Sequence, residues 1–143
     1  MTVTISRVSP DDNGKWVELL GTTSGAGALT VESTEKFTGF VYAVQTIQGT
    51  LDSGVGYTIT STLTTESGAT IVLPILVNAG ITASSLRYPR VATNKTEDGA
   101  ALTSAAGGDR DMCIVDGTIK MVLASGGATK TGGCRVYITN FGR

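Results

Sequence analysis

Histidine is missing from the 143 residues altogether. Its absence removes the usual general base near neutral pH, the commonest metal ligand and any serine–histidine triad. Cysteine is scarce: Cys113 and Cys134 stand alone, and two thiols without histidine cannot complete a standard structural zinc site. Charge is thin too, with 16% Asp, Glu, Lys and Arg, a net charge of −1 and a pI near 5.3. That is no footprint for nucleic acid, which demands a basic patch. Long apolar runs are also lacking. The strongest, Ile71–Val77, is far short of the roughly 20 residues a membrane helix needs. Met1–Arg7 shows neither the basic nor the apolar block of a secretion signal, so the expectation is a protein that folds in the cytoplasm where it is made. Aromatics are only 6%, and helical periodicity is nearly absent.

What is there points the other way. Nineteen glycines and 23 threonines favour pleated, half-buried surface punctuated by turns. With 41% apolar residues the chain is too hydrophobic to be disordered by composition. The length suits one all-β domain, 1–143, burying roughly 70% of its unfolded surface. Residues 1–35 supply N-terminal strands or an arm. About eight mainly antiparallel strands are expected, as a β-sandwich or β-barrel.

The last quarter organises this expectation. Thr118–Ala124 alternates with Ile119, Met121 and Leu123 on one side, and Cys134–Thr139 alternates with Cys134, Val136 and Ile138 against Arg135, Tyr137 and Thr139. Pairing Leu123 with Cys134 brings all six apolar side chains onto one face of a central hairpin. Its tip, Ser125–Gly133, is long and glycine-rich and is expected to be mobile. The same register puts Cys113 far from Cys134, which predicts two free, buried thiols rather than a bridge.

Upstream, Thr2–Val8 and Lys15–Leu20 read as strands, separated by the turn cluster Pro10–Gly14. Gly21–Ala28 is a flexible connector. Phe37–Ile47 is a strong strand, with Phe40, Tyr42 and Val44 on one face and Val41, Ala43 and Ile47 on the other, as in a central strand. Tyr57–Leu73 makes a second hairpin through Glu66–Gly68, and Pro74 is expected to end it. Val77–Ser84 has room for one helical turn. Leu86–Val91 is the most contact-like segment, followed by a polar loop to about Asp111.

Motifs with chemistry are few. Gly127-Ala-Thr-Lys-Thr131 fails as a phosphate loop, because Thr129 precedes Lys130 and the segment joins strand to strand. Gly25-Ala-Gly27 lacks the third glycine of a dinucleotide fingerprint, with Thr30 in its place. Asn94–Thr96 matches a glycosylation sequon only by chance if nothing is secreted. Asp98, Asp109, Asp111 and Asp116 lack EF-hand spacing and read as solvated loop acids rather than calcium ligands. Arg87, Tyr88 and Arg90 have the composition of an interface, and equally that of an ordinary loop. Trp16 fits core or sheet-edge packing better than a ligand platform. With the other three it forms the candidate interface set: Trp16, Arg87, Tyr88 and Arg90. No catalytic residues, cofactor or metal are expected.

Val115-Asp-Gly-Thr-Ile119, Ala124-Ser-Gly-Gly-Ala-Thr-Lys-Thr-Gly132 and Val136-Tyr-Ile138 resemble small structural proteins encoded among the head genes of tailed bacteriophages. Arg87–Arg90 with Thr96–Ala100 looks like the stretch before their final hairpin, and the Tyr57–Val72 hairpin sits where they carry a strand-turn-strand. The resemblance covers roughly residues 36–140. It implies a capsid decoration (cement) subunit: an all-β, non-enzymatic homotrimer on the virion surface, assembled in the host cytoplasm, with the major capsid protein as partner and neither nucleic acid nor membrane. Competing expectations are a head–tail joining or tail component, and a β-sandwich module for carbohydrate or a host surface.

Overall fold

The computed structural model describes residues 4–8, 15–92 and 110–139. These form ten strands and, among the described residues, no helix: β1 (Thr4–Val8), β2 (Lys15–Thr22), β3 (Leu29–Glu32), β4 (Phe37–Ile47), β5 (Val55–Thr64), β6 (Thr70–Ile81), β7 (Ser85–Arg87), β8 (Arg90–Ala92), β9 (Arg110–Ala124) and β10 (Thr131–Thr139). Every pairing is antiparallel. The order is β1-β2-β10-β4-β9-β5-β6, with β3 and β8 added against β9 and β7 against β4. The sheet curls into a half-barrel, an all-β architecture of the sandwich or barrel kind. The Pro10–Gly14 turn and the sequon at Asn94 lie outside the described residues, as do Asp98, Asp109 and the 96–100 segment.

The parity of the last quarter is correct, but its pairing is not. Ile119, Met121, Leu123, Cys134, Val136 and Ile138 are all buried, yet β9 and β10 do not pair with each other. β10 lies between β2 and β4, and β9 lies between β4 and β5. The six side chains therefore meet across the core from separate ladders. Alternation specifies which face is buried; it carries no information about the neighbouring strand.

β9 makes this possible by changing partners along its length. Cys113–Gly117 pairs with β4, and Thr118–Ala124 pairs with β5 while β3 takes the other edge of Lys120–Leu123. Gly117 stands at the change, with φ of +104°, a backbone setting that favours glycine. A Cβ there would also collide with the Thr62 carbonyl oxygen.

Further expectations need correction. The 125–130 tip is tied down rather than loose. Gly126 N–H donates to the Gly27 carbonyl, Asp52 N–H donates to the Gly126 carbonyl, and the Thr23 hydroxyl donates to the Gly127 carbonyl at 2.5 Å. Those bonds also fix the supposed connector after β2, and β3 follows it directly. β6 runs straight through Pro74 to Ile81, so no helical turn forms after Val77. The register shift between Ile59 and Thr60 leaves Ile75 as an extra residue beside Pro74. A bulge on an edge strand is where proline's missing donor costs least. On β4 the register steps from Ala43 to Val41, skipping Tyr42. That bulge puts Val41 and Val44 on the same inner face and turns Tyr42 outward, overturning the face assignment made from strict alternation.

Both cysteines are buried and neither is in a disulfide; the Cys113 thiol donates to the Ile75 carbonyl at 3.8 Å. Cys113 pairs with Val41 and Cys134 with Thr46, on opposite sides of β4 and five residues apart along it. At about 3.3 Å per residue and about 4.8 Å per strand they are roughly 19 Å apart, well beyond the ~7 Å a disulfide tolerates. Burial pushes the Cys134 thiol above its ordinary range, and the nearby Glu18 carboxylate adds to it.

Candidate functional site

The outward side chains of β2, β10, β4 and β7 are the richest chemistry among the described residues. Two cross-strand rows build this face. In the first, Glu18 opposes Arg135, Arg135 opposes Gln45, and Gln45 opposes Leu86. In the second, Trp16 opposes Tyr137, which opposes the Tyr42–Ala43 bulge, and Tyr88 follows β7 to meet Tyr42 edge-on at 5.9 Å between ring centroids. Period two explains the rows, since alternate residues share a face. The bulge adds what period two cannot, turning Tyr42 towards Tyr88 instead of Ala43. At about 4.8 Å per strand the aromatic row is roughly 14 Å long.

Polar contacts hold the face in shape. The Arg135 guanidinium donates twice to one Glu18 carboxylate oxygen, from Nη2 at 2.6 Å and Nε at 3.1 Å. It also lies over the Trp16 ring, 4.2 Å from the centroid, where the ring's negative face attracts it. The bond to Glu18 raises the Arg135 pKa further, so the cation persists at any working pH. The Tyr137 hydroxyl donates to Gln45 Oε1 at 3.2 Å. Between these groups lies a shallow cleft of about 280 Å³ lined by Tyr42, Ala43, Gln45, Leu86 and Tyr137. Tyr42, Leu86 and Tyr88 are each about half exposed around it.

The candidate set divides. Trp16 and Tyr88 both belong to the aromatic row, at opposite ends. Arg87 pairs with Val44 on the other side of β7 and donates from Nε to the Ser85 hydroxyl at 3.2 Å. Arg90 lies on β8 opposite Met112, off the row. Sequence reasoning missed Tyr42, Gln45, Arg135 and Tyr137 as members of a site, and reached Leu86 only as the first residue of the contact-like Leu86–Val91 segment. The usable signal was the outward parity of Arg135 and Tyr137 on a strand whose other face is wholly apolar.

Among the described residues no cluster of three or more Cys, Asp or Glu side chains could hold a metal ion, and no helix is long and apolar enough to cross a membrane. Asp116, from the acidic group considered above, is half-buried beside Gly117. Compared with known protein families, characterised proteins and solved structures, the chain matches none.

Proposed function

We propose that this is a non-catalytic structural protein that attaches to a protein surface through the outer face of β2, β10, β4 and β7, as a capsid decoration subunit does on a phage head. The observation that carries the reading is the aromatic row. The tryptophan and three of the four tyrosines share one outward face with an arginine and a glutamine. Tyrosine, tryptophan and arginine are the residues that concentrate binding energy at protein contacts. The cleft is shallow and open, which suits one anchoring side chain of a partner better than an enclosed substrate. The resemblance to phage head proteins supplies the partner, the major capsid protein, and a closed trimer that would match the threefold positions of an icosahedral lattice. Many weak copies on one shell then add up through avidity.

Co-sedimentation with expanded shells that lack the protein tests this. Native protein should bind and raise the shells' resistance to heat, and Tyr42→Ala/Tyr88→Ala should bind at least tenfold more weakly. Unchanged binding by the double variant would remove the face from the reading, and no binding by native protein would remove the decoration role.

The same row favours a second reading, a module for carbohydrate on a host surface, because outward rings beside hydrogen-bonding side chains suit sugar faces. A saturable change in Trp16 fluorescence on titration with oligosaccharides would support it. A head–tail joining or tail role would instead appear as rings or tubes larger than a trimer.

A further inference from the structure

The cleft on the aromatic face has a polarity of its own, set by a chain of hydrogen bonds that begins below the surface. Glu18 is buried, and one oxygen of its carboxylate takes two N–H groups of Arg135. The Arg135 cation is stabilised first by Glu18 and also by the Tyr137 hydroxyl. A guanidinium has donors only, so it meets the tyrosine at its oxygen lone pairs. The phenolic proton is then spent on Gln45, at 3.2 Å to Oε1. That bond fixes the orientation of an amide that could otherwise face either way. Oε1 is occupied, and among the described residues the Nε2 donors have no partner. Gln45 therefore lines the cleft as a donor. The other lining residues, Tyr42, Ala43, Leu86 and Tyr137, are uncharged, and the Arg135 charge beside them is matched by Glu18.

We infer that Gln45 is the specificity-determining residue of this face, and that its amide receives a neutral carbonyl oxygen of an extended polypeptide segment whose apolar side chain lies against Tyr42 and Leu86. Charge and donor count exclude the other occupants. A carboxylate would enter an uncharged cleft whose neighbouring cation is already matched, and would lose water without gaining a counter-ion. A sugar hydroxyl brings a proton of its own, and at Gln45 that proton would find no acceptor, because Oε1 is taken. A peptide carbonyl only accepts. The assignment rests on the protein-surface reading of this face and adds to it the partner group that is recognised.

Gln45→Met separates recognition from apolar contact, because it keeps the length of the side chain and removes its donors. A face that binds through its rings alone would hold expanded shells as well or better after this change. Loss of the donor should instead weaken co-sedimentation at least tenfold. Titration of the isotope-labelled native protein needs no variant. N-acetyl-leucine methylamide, a neutral probe with two carbonyls, should shift the Gln45 side-chain amide resonances in a saturable way. N-acetyl-leucine, with its free carboxylate, should bind more weakly, and methyl glucoside should leave those resonances in place. No shift with the methylamide, a larger shift with either of the other probes, or full shell binding by Gln45→Met would overturn the assignment. A saturable methylamide shift in a protein that never binds shells would overturn the decoration reading alone.

Discussion

The Ser61 hydroxyl bonds both backbone polar groups of Asp116, donating to its carbonyl oxygen at 2.8 Å and accepting from its amide nitrogen at 3.0 Å. Ser61 is fully buried, and Asp116 directly precedes the glycine at which β9 changes partners. One side chain on β5 thus satisfies both peptide groups of Asp116, which is still in register with Thr38 of β4. Ser61→Ala should strip both of their partners and cost about 1–3 kcal/mol in denaturant unfolding. Gly117→Ala should cost more, because it combines a left-handed backbone with a collision against Thr62. A neutral Ser61→Ala would mean that water replaces the hydroxyl at the corner.

The thiols offer a chemical check on the strand order. With Cys113 and Cys134 on either side of β4, titration with an aromatic disulfide reagent should find two reactive groups per chain in denaturant without reductant. In the native state both should react slowly, as buried thiols do. No reactive group in denaturant would reverse the assignment.

Neighbouring residues on β9 should respond oppositely to the same change. Met121 is fully buried against the core, so Met121→Asp should cost about 3–5 kcal/mol by burying an unpaired charge. Lys120 faces outward opposite Glu32, and Lys120→Asp should cost less than about 1 kcal/mol, mainly from like charges across the strands. Equal damage would show that both faces of β9 are covered.

Stability should fall on the alkaline side. Burial pushes Cys134 and Tyr57 above their ordinary values of 9.0 and 10.0. The folded chain therefore keeps protons that the unfolded chain releases. Their contribution is fully present below pH 9 and is lost as pH rises, at up to about 1.4 kcal/mol per pH unit for each group. Urea midpoints should be level from pH 7 to 8 and lower at pH 10.5, and Cys134→Ala should flatten the first part of the decline.

Much of this fold could be read locally. Phe37–Ile47 has its bounds as expected, the Thr64–Thr70 turn closes the β5–β6 hairpin, and the six alternating residues of β9 and β10 point inward. What could not be read was long-range. Trp16 and Tyr137 become neighbours only because β10 inserts beside β2, 121 positions apart in sequence. Tyr42 joins them through a bulge that no alternation rule marks. Pro74 misled because the cost of proline depends on whether its strand lies at an edge, and sequence does not give sheet order.

That sheet order also sets a timetable. Before residue 110 is made, only the β1–β2, β4–β7 and β5–β6 pairs have both of their strands; every other ladder needs β9 or β10. At about 5–20 residues per second, the growing chain carries apolar β4, β5 and β6 for some seconds without their central partners. Folding is then completed from the C-terminal segments inward, with the slow kinetics expected of distant pairing. A ribosome that stopped short of β9 would release separate hairpins instead of a shorter version of the same protein.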